Sequence, residues 1–103
     1  MMTFFMFGNY NAESIRDMSL ERTNQVVGEI EKLGGKVLAM HALLGQFDLC
    51  FWVNLPTVED AMKASVNITR ITGVSFTTSP AVTVETFDQM VAGKPDRGAG
   101  PTV

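Results

Sequence analysis

Charged, helix-like blocks alternate along this chain with nearly uncharged, strand-like ones. Eighteen of its nineteen charged residues fall within positions 13–36, 59–70 and 85–97. The stretches 1–12, 37–58 and 71–84 between them hold one charge, Asp48. Thr3–Asn9 is aromatic and apolar and reads as a first strand. Asn11 can cap a helical turn after it, with Glu13 in the first turn, where a negative charge favours the helix dipole. Ser19 offers a second cap, so a short helical turn is expected before a main helix over about Leu20–Leu33. In that helix Val26, Ile30 and Leu33 fall at i, i+4 and i+7 and make one buried stripe. Gly34-Gly35 ends it.

Lys36–Leu44 and Asp48–Leu55 read as two strands joined by the short loop Gly45-Gln46-Phe47. Pro56 stops the second, since it cannot donate to a ladder. Thr57 begins another helix, with Asp60 at N3 of a near capping box. Ala61, Ala64, Ile68 and Ile71 face its core side, and Gly73 closes it. Val74–Val82 is a fourth strand, with Pro80 suggesting an edge or a bulge, and Thr83 can cap a last helix reaching Met90 or Val91. The order βαββαβ plus a terminal helix is the ferredoxin-like, split βαβ arrangement of the α+β class. It is a four-stranded antiparallel sheet with both main helices on one face and a short C-terminal helix.

An antiparallel sheet covered on one side alternates apolar with polar; this one does not. With a Gly45–Phe47 loop, Leu44 pairs Asp48, Leu43 pairs Leu49 and His41 pairs Phe51. One face then carries Val37, Ala39, His41, Leu43, Leu49, Phe51, Val53 and Leu55. The other carries Leu38, Met40, Ala42, Leu44, Cys50 and Trp52, with Met40 and Trp52 as neighbours. In the first strand Phe4 and Met6 oppose Phe5 and Phe7. Two helices cover one face, so the other exposes a patch of the kind that marks an interface. The expected partner is a second copy packed sheet to sheet, as a homodimer alone or within a higher oligomer. An open surface for a small apolar or aromatic ligand is the alternative.

Composition sharpens this picture. The 103 residues suit one domain, expected over 1–92 with a flexible Gly- and Pro-rich tail at 93–103. Hydrophobic residues make up 46% and charged residues 18%, against roughly 25% charged in average domains, so the chain is short of charge. High apolar content and a net charge of -3 exclude general disorder, and eight basic residues among eleven acids leave no nucleic-acid footprint. Cys50 is the single cysteine, which indicates a reducing, cytoplasmic setting and no thiolate metal cluster within one chain. The apolar start, Met1–Phe7, lacks a basic leader and is too short for a signal core or a membrane span. Asn67-Ile68-Thr69 spells a glycosylation site, discounted without a secretory signal.

Candidate chemistry is sparse. His41, the single histidine, is either a general base or ligand anchor in a cavity between sheet and helices, or a neutral histidine of the core or an interface. Asp48 is either a base or anion at the mouth of a site, or a cap accepting backbone N–H groups at the hairpin. Trp52 can line a pocket for a planar ligand or pack at a subunit seam. Tyr10 and Asn9 can donate to a ligand or simply end the first strand. Cys50, between Leu49 and Phe51, reads as an inert packed thiol. No metal site and no cofactor are expected, since one histidine lacks partners and no glycine loop opens a helix to cradle phosphate.

Three stretches resemble the GYD domain family: Gly8-Asn9-Tyr10-Asn11, Glu31-Lys32-Leu33-Gly34-Gly35-Lys36-Val37 and Leu44-Gly45-Gln46-Phe47-Asp48. The likeness runs over most of Thr3–Val91, including Pro56 after the third strand and a terminal Thr83-to-Phe87 segment. Phe47 stands where the family's signature has tyrosine, so no role of that hydroxyl carries over. The Ser79-Pro80 strand is less regular than the family pattern. The resemblance implies a ferredoxin-like domain of the dimeric α/β barrel type, in small bacterial cytoplasmic proteins, and no particular reaction. Fold relatives range from cofactor-independent monooxygenases, heme-handling enzymes and muconolactone isomerase-like enzymes to ligand-sensing domains, and fold alone does not choose among them. The expected function is therefore a non-catalytic ligand-binding or self-association module. The alternative is a cofactor-independent enzyme using His41, Tyr10, Asn9 and Trp52.

Overall fold

The computed structural model describes residues 1–93 of the chain. Four strands and four helices follow one another as β1 (Met2–Asn9), α1 (Ala12–Arg16), α2 (Leu20–Lys32), β2 (Lys36–Ala42), β3 (Leu49–Leu55), α3 (Val58–Thr72), β4 (Ser75–Ala81) and α4 (Val84–Val91). The strands form one antiparallel sheet in the order β2-β3-β1-β4. This is the ferredoxin-like α+β arrangement read from the sequence. Of the tail at 93–103, all but Gly93 lies outside the described residues.

Local chemistry explains where the helices start. The Ser14 N–H donates to Asn11 Oδ1 at 2.7 Å and the Asn11 N–H donates to Ser14 Oγ at 2.8 Å, a reciprocal box opening α1. Ser19, Thr57 and Thr83 each accept an N–H from three residues on, opening α2, α3 and α4. Arg22 binds the far ends together: its guanidinium donates to the Ser14 carbonyl at 2.7 Å and to the Thr72 carbonyl at 3.3 Å. The second bond satisfies an end-of-helix carbonyl of α3 that has no partner within the helix.

The core lies between one sheet face and helices α2 and α3. Phe4 and Met6 of β1 and Val53 and Leu55 of β3 meet Val26 and Ile30 of α2 and Ala61, Ala64 and Ile68 of α3, all buried. The alanines let α3 lie close to the sheet. Gly8 makes room for the Phe76 ring of β4, which occupies the space a Cβ would need. Asn67 of α3 donates to Glu29 of α2 at 2.8 Å, tying the two helices at their outer seam.

The hairpin register differs from the expected one. Ala42 pairs with Leu49, His41 with Cys50, Met40 with Phe51 and Ala39 with Trp52. The Leu43 N–H also donates to the Asp48 carbonyl at 2.8 Å, so the loop is Leu44–Phe47, one residue longer than expected. Because side chains alternate with a period of two, a one-residue slip turns β2 over relative to β3. Met40 therefore packs on the core. His41 moves to the helix-free face, and Met40 and Trp52 are not neighbours. A bulge between Val37 and Ala39 absorbs Leu38 and restores Val37 to the core side, opposite Val53.

Candidate functional site

The helix-free face carries a continuous row of rings. Alternation along β1 sends Phe5 and Phe7 to this side, and alternation along β3 sends Cys50, Trp52 and Asn54 there. Phe5 pairs directly with Trp52 in the register. Their rings stack with centroids 5.1 Å apart and planes at 8°. Phe7 meets Phe5 edge-on at 6.4 Å, and Phe47 from the hairpin loop tilts against Phe7 at 5.0 Å. At the other end His41 stands edge-on to Trp52 at 5.5 Å. The row thus runs His41–Trp52–Phe5–Phe7–Phe47 across three strands and a loop. Each such pair contributes about 0.5–1.5 kcal/mol beyond the area it buries.

The row is only partly covered: Trp52 is 39% exposed, and Leu38, on the β2 bulge, is 47% exposed. Beyond the row the face turns polar. Thr3 donates to Asn54 Oδ1 at 2.8 Å at one end. Ser79 and Thr77 of β4 sit beside Phe5 and Phe7. The rings therefore form an apolar centre with hydroxyls and an amide at its margin, the plan of a protein interface. Cys50 is buried and faces His41 across the ladder.

Asp48, Tyr10 and Asn9 form a second group, at the end of β1. The Tyr10 N–H donates to Asp48 Oδ2 at 2.9 Å. The Asp48 N–H donates to the Gly8 carbonyl at 2.9 Å. The Asp48 carboxylate thus accepts a backbone N–H, but from the β1–α1 connection and not from its own hairpin. These two bonds fix the loop that carries Phe47 over Phe7. Gly45, at φ +133°, supplies the turn that lets the loop reach there. Asn9 is exposed beside Ser75.

The five candidates are therefore not one constellation. His41 and Trp52 share the bare face, whereas Tyr10 and Asp48 meet at the strand end. Half-buried Tyr10 lines an opening of about 50 Å³ between sheet and helices, with Arg22, Met40, Phe51 and Phe76. His41 does not reach it. Phe5, Phe7 and Phe47 are the additional members of the site. Alternation in β1 already set Phe5 and Phe7 opposite Phe4 and Met6, and the β1–β3 register shows that Phe5 stacks on Trp52 while Phe7 meets Phe5. Among the described residues no group of three or more His, Cys, Asp or Glu could hold a metal ion.

Asp48 clamps the end of the Leu44–Phe47 loop to Gly8 and Tyr10. The family model of the GYD domain matches residues 2–91. The chain belongs to the GYD domain family. Among curated proteins none matches the sequence. Among solved structures it is similar to the crystal structure of the Mycobacterium tuberculosis leucine response regulatory protein LrpA, with 8% identity and a TM-score of 0.53. That likeness covers 80% of this chain and 51% of the LrpA chain, so the GYD domain chain spans about half of its structural neighbour. At this identity the neighbour shows the shared ferredoxin-like fold alone. No helix of the described residues is long and apolar enough to cross a membrane.

Proposed function

We propose that this GYD domain is a non-catalytic self-association and small-ligand module, pairing sheet to sheet with a second copy through its aromatic row. The observation that supports it most is the stacked, half-exposed Trp52–Phe5 pair at the centre of a sheet face with no helix over it. Contiguous exposed apolar area of this kind is rare on monomers. A second copy would cover the rings, and the shortage of charge would follow, because the surface emptied of charge is the one that is buried. A planar apolar or aromatic ligand is the other occupant that stacked rings favour. The single buried Cys50 supports a reducing, cytoplasmic setting.

The enzyme alternative would need a chamber between sheet and helices with polar groups converging on it. The opening beside Tyr10 is about 50 Å³, well below the roughly 300 Å³ at which small-molecule sites begin, and His41 faces away from it. This favours the non-catalytic reading.

Trp52 is the chain's only tryptophan, so its emission reports on this face alone. Dilution through the micromolar range should red-shift that emission as subunits part, together with a fall in sedimentation coefficient. Trp52→Glu should stay folded and lose most of its sheet-to-sheet association. A wild-type chain that sediments as a stable monomer throughout that range would overturn the pairing, and added small aromatic compounds that quench Trp52 would then identify the face as a ligand surface.

A further inference from the structure

Arg22 is held in a way that leaves part of its guanidinium unused. Its Nη1 donates both to the Ser14 carbonyl at 2.7 Å and to the Thr72 carbonyl at 3.3 Å, which takes up the two protons of that nitrogen. The Nε–H and the Nη2–H groups have no partner among the described residues. Those donors form the side edge of the guanidinium, which fits the two oxygens of a carboxylate in parallel. Arg22 is also half-buried, whereas Arg16, Lys32, Lys36, Lys63 and Arg70 are exposed. Among the described residues it pairs with main-chain carbonyls and with no carboxylate.

This cation stands at the small opening between sheet and helices. Thr72, which the guanidinium holds, lines the opening with it, and Arg22 is the single charged residue of the lining. Asp48, engaged with the Tyr10 N–H, is not part of it. Tyr10 and Thr23 add polar groups, and the rest of the lining is apolar, with Phe51 and Val74 buried. The volume is about 50 Å³. A water needs about 10–15 Å³ on the same measure, so the opening admits on the order of four non-hydrogen atoms. That is too small for a substrate ring and close to the size of acetate or propionate. A half-buried guanidinium above an apolar floor selects for negative charge and for a short hydrocarbon tail together, and partial burial strengthens the attraction.

We propose that this opening binds a short-chain carboxylate of two or three carbons. Its oxygens lie on the Nε/Nη2 edge of Arg22, and its methyl or ethyl group lies against Phe51 and Val74. The site is on the helix side of the sheet, away from the aromatic row, and does not depend on pairing between subunits.

The test titrates the ¹⁵N-labelled full chain with sodium propionate, at fixed ionic strength and near neutral pH. The Arg22 Nε–H resonance and the amides of Tyr10 and Val74 should move and saturate. A dissociation constant of about 1–10 mM is expected, well within what so few atoms can supply. Propionamide, the neutral counterpart of the same shape, should give no saturable movement of the Arg22 Nε–H. Benzoate, too large for the opening, should bind at least about tenfold more weakly. Arg22→Gln should weaken propionate binding by about tenfold or more, the loss expected for a hydrogen bond to a charged group. Because that variant also loses the bonds to Ser14 and Thr72, its urea midpoint is measured alongside. Should it fail to fold, the Nε–H response of the wild-type chain decides alone. No saturation up to about 50 mM propionate overturns the proposal, since binding weaker than that would be non-specific for a ligand of this size. So does an equal response to propionamide or benzoate, or movement confined to Trp52 and its neighbours on the bare face. Sheet pairing is read separately, by sedimentation, and survives any of these failures.

Discussion

The two faces of this sheet are built from alternate residues of the same strands, yet one is finished within the chain and the other is not. On the helix side Phe4, Met6, Val53 and Leu55 are buried to 2% exposure or less, among helix residues chosen for close approach, Ala61 and Ala64. On the opposite side Phe5, Phe7 and Trp52 touch one another but have no layer above them. The first face is mixed in shape and interlocks. The second is a row of flat rings, which stack on each other and leave their outer surfaces free for another flat group. Hydrophobicity alone does not separate the two faces, since both are apolar. What separates them is whether the same chain supplies the cover.

The largest effect should come from opening the finished face. Phe4→Ala removes a buried ring from the centre of the core and should cost about 3–5 kcal/mol, read as a fall in the urea midpoint at unchanged slope. Phe5→Ala, one residue away on the bare face, should cost far less in a subunit measured as a monomer. If the two losses are equal under dissociating conditions, the distinction between the faces collapses.

Next comes the bare face in the assembled protein. Trp52→Glu should leave the melting temperature of the dissociated subunit within a few degrees of wild type. It should weaken association by at least about 2 kcal/mol, roughly 30-fold, because a charge would be buried at the centre of the rings. Concentration-dependent sedimentation separates the two readouts. A large loss of subunit stability instead would mean that the row is part of the core of one chain.

Gly8→Ala probes the finished face at a point of close approach. The added methyl would run into the Phe76 ring and Val74. Overpacking of this kind should cost about 1–3 kcal/mol. Gly28→Ala is the control: it meets no neighbour within 4 Å on the outer side of α2 and should stabilise the helix by up to about 1 kcal/mol. Chemical denaturation of both variants checks the contrast.

Much of this contrast was legible in the sequence. The element order, all four helix caps and the division of β1 and β3 into two apolar faces follow from local patterns. Those patterns depend on residues close together in the chain, such as Asn11 with Ser14 or Pro56 with Thr57. Membership of the GYD domain family rested on the same kind of local evidence. What escaped was the pairing of β2 with β3. The loop Leu44–Phe47 begins one residue earlier than a glycine-centred turn suggests, and the bulge at Leu38 shifts the register once more. Both are invisible to alternation, because β2 is apolar at nearly every position and reads equally well either way up. His41 was carried to the wrong face by that slip, and with it the idea of a histidine in a cavity. The aromatic row was hidden for a related reason. Phe47 belongs to a loop, and its place over Phe7 depends on the bonds Asp48 makes with Tyr10 and Gly8, which join positions 38 and 40 residues apart.

The clamp that positions Phe47 gives a smaller effect. Asp48→Ala removes the acceptor of the half-buried Tyr10 N–H bond and should cost about 1.5 kcal/mol, the low end of the range for a hydrogen bond to a charged group. Asp48→Asn keeps an acceptor oxygen and should recover part of that loss. Freed of its anchor, the loop should also lose order around Phe47, visible as faster amide exchange at Phe47 than at Trp52. Equal exchange at the two sites in Asp48→Ala would show that the loop holds its place without the carboxylate.

The smallest effect belongs to His41, and it tests the comparison most directly. On the bare face its ring contributes an edge contact to Trp52 while remaining exposed to solvent. His41→Ala should therefore cost no more than about 0.5–1 kcal/mol in the isolated subunit, the low end of what an aromatic pair supplies. His41→Phe should restore that amount, because the contact needs a ring and not a nitrogen. Were the side chain enclosed between sheet and helices, the same deletion would leave a cavity and a loss of about 2 kcal/mol or more, which a phenylalanine could not repair without losing the polar contacts. Denaturation of the two variants under dissociating conditions decides between these, and Trp52 emission gives a second readout, since removing the neighbouring ring at 5.5 Å should shift it even where stability hardly changes.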